Sequence, residues 1–485
     1  MYKVVIGLEV HCEVKTKSKN FSSAPNTYST EPNTNVAPVD LGLPGILPVV
    51  NKEACHKAIK TALALDCQVP DEVLFDRKNY YYPDLPKGYQ ITQMTKPFGR
   101  NGKITFFVGE TEKTVYIHQL HLEEDTASLE HCSNFSLIDY NRSGIPLMEI
   151  VTEPCIYSAD EAVAFLEALR NIFLFTEVSD AKSDKGQMRC DVNISLMKDT
   201  DTKLGTKVEM KNINAFNSVR AAIEYEIKRQ TEILESGGTI KQETRRIDED
   251  GKTYSMREKV DAVDYKYFVE PNIAPVKITD EQITKIKEEI PELQYSRLKK
   301  YMANGLSFYD ATILSKDKDV SDYYEMVLKD VYEKDTVTNW VITIILGSLN
   351  KLNIEIKDLF VTPKMLSGII NLVNKNELSQ MQAKKILYQS MDIKKDPLEI
   401  VKDLGLKQIT NEDELLKYVR EVIDENKKQV EEYFEGKEYV ANYFIGKIMV
   451  KTNKQANPKV ALSLIKQELE RMRKWMNIGP IMRVK

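Results

Sequence analysis

The stretch Gly7–Val14 constrains the fold more than any other segment of the chain. Between Val4 and Val14 every even position is apolar, whereas the odd positions include Glu9 and His11. Because successive side chains of a β-strand point to opposite faces, this alternation predicts a strand with one buried and one polar face. A carboxylate beside an imidazole on the polar face is able to hold a metal ion or a proton. A half-exposed strand with ordinary polar residues on its wet side has the same pattern.

The composition is that of a globular protein with several domains. A length of 485 residues allows two to four domains, and 42% of the residues are hydrophobic. The 68 Lys and Arg residues nearly balance the 73 Asp and Glu residues, so a contact with RNA requires a local basic patch. The six cysteines form no CxxC pair, which argues against a zinc ribbon and a disulfide framework. We expect a cytoplasmic protein with no membrane partner, because the sequence has neither a targeting peptide nor an apolar span.

Three later segments repeat the alternation of the first stretch. They are TVYIHQLHLEED, GQMRCDVNIS and TKVEMKNIN, and each separates an apolar face from a face of acids and bases. A polar sheet face assembled from several segments is suited to a binding cradle. For the acids of HLEED, a solvated turn explains the pattern equally well. The polar faces predicted in this way carry His121, Glu123 and Asp125, then Arg189, Asp191 and Asn193, and then Lys207, Glu209 and Lys211.

Two loops have compositions that favour anionic ligands. FDRKNYYYPDLPKGYQITQ interleaves tyrosines with Lys78 and Lys87, a pattern that can stack on and neutralise nucleotides. An aromatic edge of the core with solvated charges is the alternative. The loop Asn141–Gly144 lies between two apolar strands and can offer backbone donors and Arg142 to an anion, although a plain turn fits it equally.

The expected fold class is α+β. Helices are predicted at 158–175, begun by a capping box of Ser158 and Glu161, and at 214–236, ended by Gly237. A hairpin is predicted to turn at Asp250-Gly251, and amphipathic helices dominate after Pro291. We predict a mixed α/β cradle domain with a polar-faced sheet over residues 1–293, an all-helical domain over 294–405 and a small helical tail domain over 406–485.

Ten motifs in order along the chain resemble one family, the GatB family of aspartyl/glutamyl-tRNA amidotransferase subunits. Together they cover nearly the whole chain, and ten long motifs in one order are far more specific than any single match. The motifs are IGLEVH, NTNVAPVDLGLPGILPVVN, FDRKNYYYPDLPKGYQITQ, HLEEDTASL, DYNRSGIPLMEIVTEP, RCDVNIS, GTKVEMKNINAFNSV, ETRRIDEDGKTYSMR, DYKYFVEPNIAP and FIGKIMVKTNKQANP.

The resemblance implies an ATP-dependent ligase that uses glutamine as its amido-N donor. The family phosphorylates the side-chain carboxyl of glutamate on tRNA(Gln), of aspartate on tRNA(Asn), or of both. Ammonia released by an amidase partner (GatA) then displaces the phosphate, and a small third protein (GatC) completes the heterotrimer. The sequence has no GxxxxGK[ST] loop, so phosphate binding would depend on a metal ion and scattered bases.

The resemblance also implies the residues of the site. Expected magnesium ligands, which are also the expected catalytic residues, are Glu9, His11, Glu124, Asp191 and Glu209. Arg142, Ser143, Lys207 and Lys211 are expected to bind ATP. One of Lys78 and Lys87 is expected to gate or line an ammonia tunnel. In the tail, Lys447, Lys451 and Lys454 are expected to share a helix face that contacts tRNA.

Two departures from the family pattern bear on these expectations. The chain has no inserted synthetase-like domain, so the archaeal glutamine-specific relative GatE is a poorer match. Ser22, Ser23, Ala37 and Asp40 stand where many members carry zinc-binding thiolates, so we expect no structural zinc. The nucleophile signature of the amidase is absent, so the chain should not hydrolyse glutamine unaided.

Two other functions are alternatives to this expectation. A non-catalytic tRNA-binding scaffold would need the tail but not the acids, and a stand-alone hydrolase using Glu9 and His11 would act without tRNA. Mg-dependent ATP turnover in the complex would distinguish an enzyme from the non-catalytic scaffold.

Overall fold

The alternating segments form neighbouring strands of one sheet. The computed structural model describes residues 2–198, 200, 203–248, 250–258, 264–405, 412–452 and 455–478. The strands are β1 Tyr2–Glu13, β2 Glu72–Val73, β3 Asp76–Asn79, β4 Tyr89–Thr92, β5 Gly99–Val108, β6 Thr111–Glu124, β7 Ser128–His131, β8 Ser136–Asp139, β9 Pro146–Thr152, β10 Met188–Lys198, β11 Val208–Ile213, β12 Glu243–Ile247, β13 Thr253–Glu258, β14 Phe268–Val269 and β15 Val276–Lys277.

Eight of these strands form the main sheet, in the order β13-β12-β11-β10-β1-β9-β6-β5. The neighbours are antiparallel except for β11 and β12, which are parallel. β1 lies inside the sheet between β10 and β9, so its polar face meets residues that are far away in sequence. The predicted hairpin is present, with Gly251 at φ +78° between β12 and β13.

Helices pack against the apolar face of this sheet, the face opposite the one that carries Glu9 and His11. On β1, the side chains of Ile6, Leu8 and Val10 are at most 1% exposed and form one core with the three helices α1 (Lys52–Ala64), α2 (Ala159–Phe175) and α3 (Phe216–Glu235). Burying each such side chain contributes roughly 1.5–3 kcal/mol. The helices of the first part of the chain are α1 Lys52–Ala64, α2 Ala159–Phe175, α3 Phe216–Glu235, α4 Asp280–Glu288, α5 Gln294–Ala303 and α6 Phe308–Ser315, with a 3₁₀ turn at Ser183–Lys185.

The start of α2 differs in detail from the expected capping box. Ser158 Oγ accepts the N–H of Glu161 at 3.1 Å, as expected. The Glu161 carboxylate, however, accepts the N–H of Tyr157 at 2.8 Å and so does not close the box. A buried stripe of α2 results because this helix packs against both α3 and β5. It includes Ala162, Phe165, Leu166, Leu169, Ile172 and Phe173, while Val163 is only half-buried.

The chain divides into two compact units, and the second is helical in its described residues. The first unit is Met1–Phe308 with Ser315–Lys318, and the second is Tyr309–Leu314 with Asp319–Lys485. Further helices are α7 Lys318–Asp330, α8 Lys334–Trp340, a π-helical turn Val341–Leu346, α9 Gly347–Leu352, α10 Pro363–Asn374, α11 Gln380–Ile393, α12 Pro397–Asp403, α13 Glu412–Glu425, α14 Lys427–Phe434, α15 Ala441–Lys451 and α16 Pro458–Ile478, with 3₁₀ turns at Ile356–Asp358 and Glu438–Val440.

The predicted α+β class is confirmed, with a sheet-rich part followed by a helical part. In the last part of the chain α13, α15 and α16 pack around a separate core that includes Phe444, Ile448 and Ile465. The predicted boundary at residue 405 adjoins residues 406–411, which lie outside the described residues. That boundary and the one at residue 293 stay predictions. Among the described residues, no helix has the combined length and hydrophobicity that crossing a bilayer requires.

Candidate active site

A row of charged side chains crosses four strands on the polar face of the main sheet. His11 on β1 lies opposite Arg189 on β10 and opposite Glu149 on β9, and Glu149 lies opposite His121 on β6. Directly opposite residues in an antiparallel pair have Cβ atoms about 4.5–5.5 Å apart, so these side chains must interact. The strand register therefore assembles a charged row from segments that are distant in sequence.

Glu149 is the centre of this row. Its Oε2 lies 3.0 Å from His121 Nε2 and 3.4 Å from His11 Nε2. Burial alone would raise the pKa of Glu149, but the two imidazole rings hold it well below its usual range. Burial opposes the charged form of His121, yet Glu149 and Glu123 raise its pKa to about 10. The Nδ1 atoms of both histidines are buried, and neither has a hydrogen-bond partner among the described residues.

Three carboxylates form a second group on the same face. Glu9, Asp191 and Glu209 each place one oxygen within 4.8 Å of the others. Glu9 and Asp191 are opposite each other on β1 and β10. Glu209 is next to them on β11, where the register with β10 shifts between Cys190 and Val192. Burial raises the pKa of Glu9, and Glu149 raises it further, so this group also feels the charge of the histidine row.

The ammonium group of Lys211 neutralises part of this charge. Its Nζ lies 3.0 Å from Asp191 Oδ2 and 3.1 Å from Glu209 Oε1. Burial would lower the pKa of Lys211, but the two carboxylates raise it instead. The lysine thus lies beside carboxylates that would also stabilise a metal cation.

Neighbouring groups fix the orientation of the three carboxylates. Asn193 Nδ2 donates to Glu9 Oε1 at 2.9 Å, and Thr244 Oγ1 donates to Glu209 Oε2 at 3.1 Å. The backbone N–H of Asn212 donates to Asp191 Oδ1 at 2.8 Å, from a residue with φ +56°. This left-handed conformation is tolerated better by asparagine than by most residues. Ordered carboxylates are a precondition for a defined metal site.

The donor atoms determine which group suits magnesium. Mg²⁺ prefers oxygen ligands, usually carboxylates together with water. The group of Glu9, Asp191 and Glu209 offers carboxylate oxygens only and fits this preference. The group of His11, Glu123 and Glu149 also places its ligand atoms within 4.8 Å of one another. It includes an imidazole nitrogen, which suits transition metals better.

Glu124 has a different environment from the other expected ligands. Its Oε2 lies 2.7 Å from Lys87 Nζ, and its Oε1 accepts the backbone N–H of Ile91 at 2.9 Å. Both charged groups are buried, with side chains 3% and 8% exposed. Alternation along β6 puts Glu124 and Glu123 on opposite faces, as the sequence predicts. The structure thus brings Glu9, Asp191 and Glu209 together, but it groups His11 with Glu149 and pairs Glu124 with Lys87. A single site of all five residues stays a prediction.

Most of the residues expected to bind ATP have protein partners. Arg142 Nε lies 3.3 Å from Asp125 Oδ2 and donates to the carbonyl of Thr126 at 3.0 Å. The buried Ser143 hydroxyl donates to the carbonyl of Asp40 at 3.2 Å. Lys211 pairs with the carboxylates described above, and Lys207 is exposed just before β11.

The segment in which many family members carry zinc-binding thiolates is held by hydrogen bonds around Asp40. Its Oδ2 accepts the hydroxyl of Ser22 at 3.1 Å and the N–H of Ala37 at 2.8 Å. The same oxygen lies 3.3 Å from Nζ of Lys19, whose side chain is completely buried. Ser22 and Asp40 therefore have defined structural partners of their own.

The two lysines that are expected at an ammonia tunnel, Lys78 and Lys87, have different surroundings. Lys78 on β3 has its Nζ 5.0 Å from the ring centroid of Tyr265. A cavity of about 120 Å³ adjoins Lys87 and is otherwise lined largely by the segment 39–48. The tunnel role expected for one of these lysines stays a prediction.

The expected tRNA-binding lysines of the tail differ from one another. Lys451 Nζ lies 3.2 Å from Glu421 and 2.6 Å from Glu425, so neighbouring acids offset its charge. Lys447 lies over the ring of Tyr443 at 5.5 Å. Lys454 lies outside the described residues.

Two acids of the polar face, Glu149 and Glu13, were given no role by the sequence reasoning. Glu149 was quoted within a motif but given no role, although a single carboxylate inside the apolar strand PLMEIVT was a usable signal. Glu13 extends the polar face of β1 beyond His11. Burial and the nearby Asp125 raise the pKa of Glu13 to about 7. No local signal predicted that shift, because Asp125 follows the end of β6 and is distant from Glu13 in sequence.

Comparisons with known proteins agree with the motifs. A family model described as the GatB/GatE catalytic domain matches residues 4–284, and one described as the GatB domain matches residues 322–469. Relatives from Shouchella clausii (strain KSM-K16) and Persephonella marina (strain DSM 14350 / EX-H1) are each 45% identical over 473 residues. These cover 97% of this chain and 99% and 100% of the relatives. A relative from Halalkalibacterium halodurans is 46% identical over 473 residues, 97% of this chain and 99% of the relative.

All three relatives are named as the B subunit of an aspartyl/glutamyl-tRNA(Asn/Gln) amidotransferase. One family model covers more than half of the chain, and the relatives match it along nearly its full length. These two observations establish the same relationship independently. The chain therefore belongs to the GatB family, the B subunits of tRNA-dependent amidotransferases.

Proposed function

We propose that the chain is the kinase and transamidase component of a glutamine-dependent tRNA amidotransferase. In the first step, a side-chain carboxylate oxygen of glutamate or aspartate esterified to tRNA attacks the γ-phosphorus of ATP, and ADP leaves. In the second step ammonia adds to the acyl phosphate carbon, phosphate leaves, and loss of a proton gives the amide. The observation that carries this proposal is the group of Glu9, Asp191 and Glu209 on the polar face of the sheet.

The carboxylates explain how this chain manages phosphate charge without a phosphate-binding loop. Glu9, Asp191 and Glu209 would hold Mg²⁺, which when bound would neutralise charge on the phosphates. His11 and Glu124 remain proposed ligands of the same ion. Lys211 lies beside these carboxylates and would have to yield its position as the ion and ATP bind. Arg142, Ser143 and Lys207 are proposed to assist in holding ATP.

The row of His11, Glu149 and His121 would form one wall of the site, and its charged side chains would be held in fixed positions. Because Glu149 sits between the two histidines, it stabilises their protonated forms and limits the movement of both rings. Their buried Nδ1 atoms have no hydrogen-bond partner among the described residues. A non-catalytic scaffold would not need such a cluster of buried charges.

Ammonia is proposed to come from glutamine hydrolysed by the partner amidase GatA, with the small partner GatC holding the assembly together. Of the two candidate lysines, Lys87 is the better tunnel residue. Its ion pair with Glu124 borders the cavity of about 120 Å³ and could open or close it. The tail is proposed to bind the body of the tRNA, and the reaction is proposed to occur in the cytoplasm, where misacylated tRNA would be used.

A direct test measures the two half-reactions separately in the reconstituted complex. With Mg²⁺, ATP and Glu-tRNA(Gln) or Asp-tRNA(Asn), the wild type should release ADP in a tRNA-dependent manner. Asp191→Asn should lower that rate by at least about 10²-fold, because a charge-neutralising ligand is lost. Glutamine hydrolysis by the partner and tRNA affinity should be retained. Equal ADP release by Asp191→Asn and wild type would contradict the proposal.

A further inference from the structure

Lys78 is directed toward the acids of the sheet. It lies on β3 opposite Gln90 of β4, and Thr92 lies two residues farther on the same face. The Thr92 hydroxyl donates to Glu123 Oε2 at 2.9 Å, and the Gln90 amide donates to the carbonyl of Glu124 at 2.8 Å. Because cross-strand partners and residues two apart share a face, the side chain of Lys78 projects toward the end of β6 where these acids lie.

The immediate surroundings of Lys78 are aromatic. Its ammonium group lies over the ring of Tyr265, which makes edge-to-face contacts with Tyr80 and Tyr267 at centroid distances of 6.0 Å each. A cation over an aromatic face gains about 0.5–2 kcal/mol, depending on how well it is desolvated. The three rings therefore form a wall that holds the lysine side chain in a half-buried position beside the acids.

Within the part of the chain that the structure describes, Lys78 has no ion pair or hydrogen bond of its side chain. Glu123 and Glu149 nevertheless raise its pKa against the effect of burial, so it remains an ammonium group at neutral pH. Lys87 and Lys211 differ, since each forms direct ion pairs with carboxylates. Lys78 is thus a charged donor near the acids whose hydrogen-bonding capacity is unused.

We propose that Lys78 binds an oxyanion of the reacting substrates. The source is either the phosphoryl group in transfer or the carboxylate that receives it. This inference rests on the proposed function. Glu123 and Glu149 stabilise the ammonium group without forming hydrogen bonds to it, so its N–H donors are available for charge-assisted hydrogen bonds to a bound oxyanion. Three donors on one ammonium can follow the oxygens as charge moves from carboxylate to phosphate.

The test compares Lys78→Met, Lys78→Arg and Lys103→Met in the reconstituted complex. Lys103 is the matched control because it is exposed and forms only a surface ion pair with Asp66. Lys78→Met should reduce tRNA-dependent ADP release by about 10²–10³-fold, the usual effect of removing one preorganised donor from a transition state. Lys78→Arg should restore part of the rate, since guanidinium also binds oxyanions. Lys103→Met should behave as wild type.

The kinetic constants identify the source of the oxyanion. A raised KM for ATP assigns Lys78 to the phosphoryl group, and a raised KM for the aminoacyl-tRNA assigns it to the carboxylate. Added ammonium chloride should rescue neither Lys78 variant. The proposal is overturned if Lys78→Met releases ADP normally, or if it loses only glutamine-dependent amidation and ammonium chloride restores it. The second result would make Lys78 part of the ammonia path.

Two controls separate this result from other failures. If the wild-type complex itself released no ADP with tRNA, the proposed function would be wrong rather than the role of Lys78. If Lys78→Met fails to assemble, Lys78→Arg decides the matter, because it keeps the charge and the long apolar stem. A Lys78→Arg complex with normal thermal stability and unchanged rates and KM values in both half-reactions would contradict an oxyanion contact that depends on ammonium geometry.

Discussion

Lys211 Nζ lies 3.0 Å from Asp191 Oδ2, at the edge of a group of three carboxylates. Three acids so close together repel one another unless a positive charge is near them. Lys211 supplies that charge in the protein without metal. The same arrangement means that a divalent cation and this lysine stabilise the same carboxylates, and this relationship leads to the first prediction.

Replacing Lys211 by Met should destabilise the metal-free protein and make its stability depend more strongly on divalent cations. The expected loss is about 1–2 kcal/mol, below the range for fully buried pairs because the lysine side chain is 36% exposed. Thermal unfolding in EDTA and in excess Mg²⁺ measures it. Mg²⁺ should raise the Tm of Lys211→Met more than that of wild type or Lys103→Met. Equal metal-induced shifts in all three proteins would contradict this reading.

His121 should make the stability of the metal-free protein fall at alkaline pH. Its pKa is raised from 6.5 in the ordinary state to about 10 in the folded protein. A raised pKa contributes stability that is fully present below the unfolded pKa and is lost as pH rises through the folded pKa. The free energy of unfolding of wild type should therefore fall between about pH 6.5 and 10 more than that of His121→Gln, by at least about 1 kcal/mol. Parallel pH profiles of the two proteins would refute the charged state of His121.

The buried ion pair of Lys87 and Glu124 should show strong coupling in a double-mutant cycle. Lys87→Met alone leaves an uncompensated buried carboxylate and should cost about 3–5 kcal/mol. The double variant Lys87→Met with Glu124→Gln should recover most of that stability. If the pair controls the cavity beside it, Lys87→Met with Glu124 intact should fail to couple glutamine hydrolysis to amidation, while ammonium chloride supports amidation. Normal coupling in an assembled Lys87→Met complex would exclude the gate.

The two described lysines of the tail should contribute unequally to tRNA binding. Glu421 and Glu425 already offset the charge of Lys451, whereas Lys447 contacts only an aromatic ring among the described residues. Lys447→Ala should therefore lower the slope of log affinity against log salt by about 1, the effect expected for one lost phosphate contact. Lys451→Ala should change it less. Filter binding at several salt concentrations gives both slopes, and the opposite order would assign the contact to Lys451.

The alternation of apolar and polar residues predicted β1, β6, β10 and β11 and the polar face that they share. A local period of two is enough for this, because the buried face of each strand is fixed by its own side chains. The order of the strands is not local information. His11 meets Glu149 only because β9 pairs with β1 across about 140 residues of chain.

The grouping of the acids was accordingly less predictable than their identity. Resemblance supplied five residues as one set, and the structure brings three of them, Glu9, Asp191 and Glu209, together. The strand pattern placed Glu124 on the mostly apolar face of β6, opposite Glu123, which suited an inward-pointing ligand at the end of the strand. The ion pair with Lys87 was not visible in the sequence, because it depends on how the β3–β4 hairpin packs on β6.

The central claim is that Glu9, Asp191 and Glu209 form a divalent-cation site, and direct ion binding tests it without relying on activity. Mn²⁺ can be followed by electron paramagnetic resonance as a substitute for Mg²⁺, with Asp191→Asn and the exposed control Asp66→Asn beside wild type. Wild type and Asp66→Asn should bind the ion, and Asp191→Asn should bind it at least about 10-fold more weakly. Unchanged Mn²⁺ affinity in Asp191→Asn, at equal thermal stability, would contradict the account.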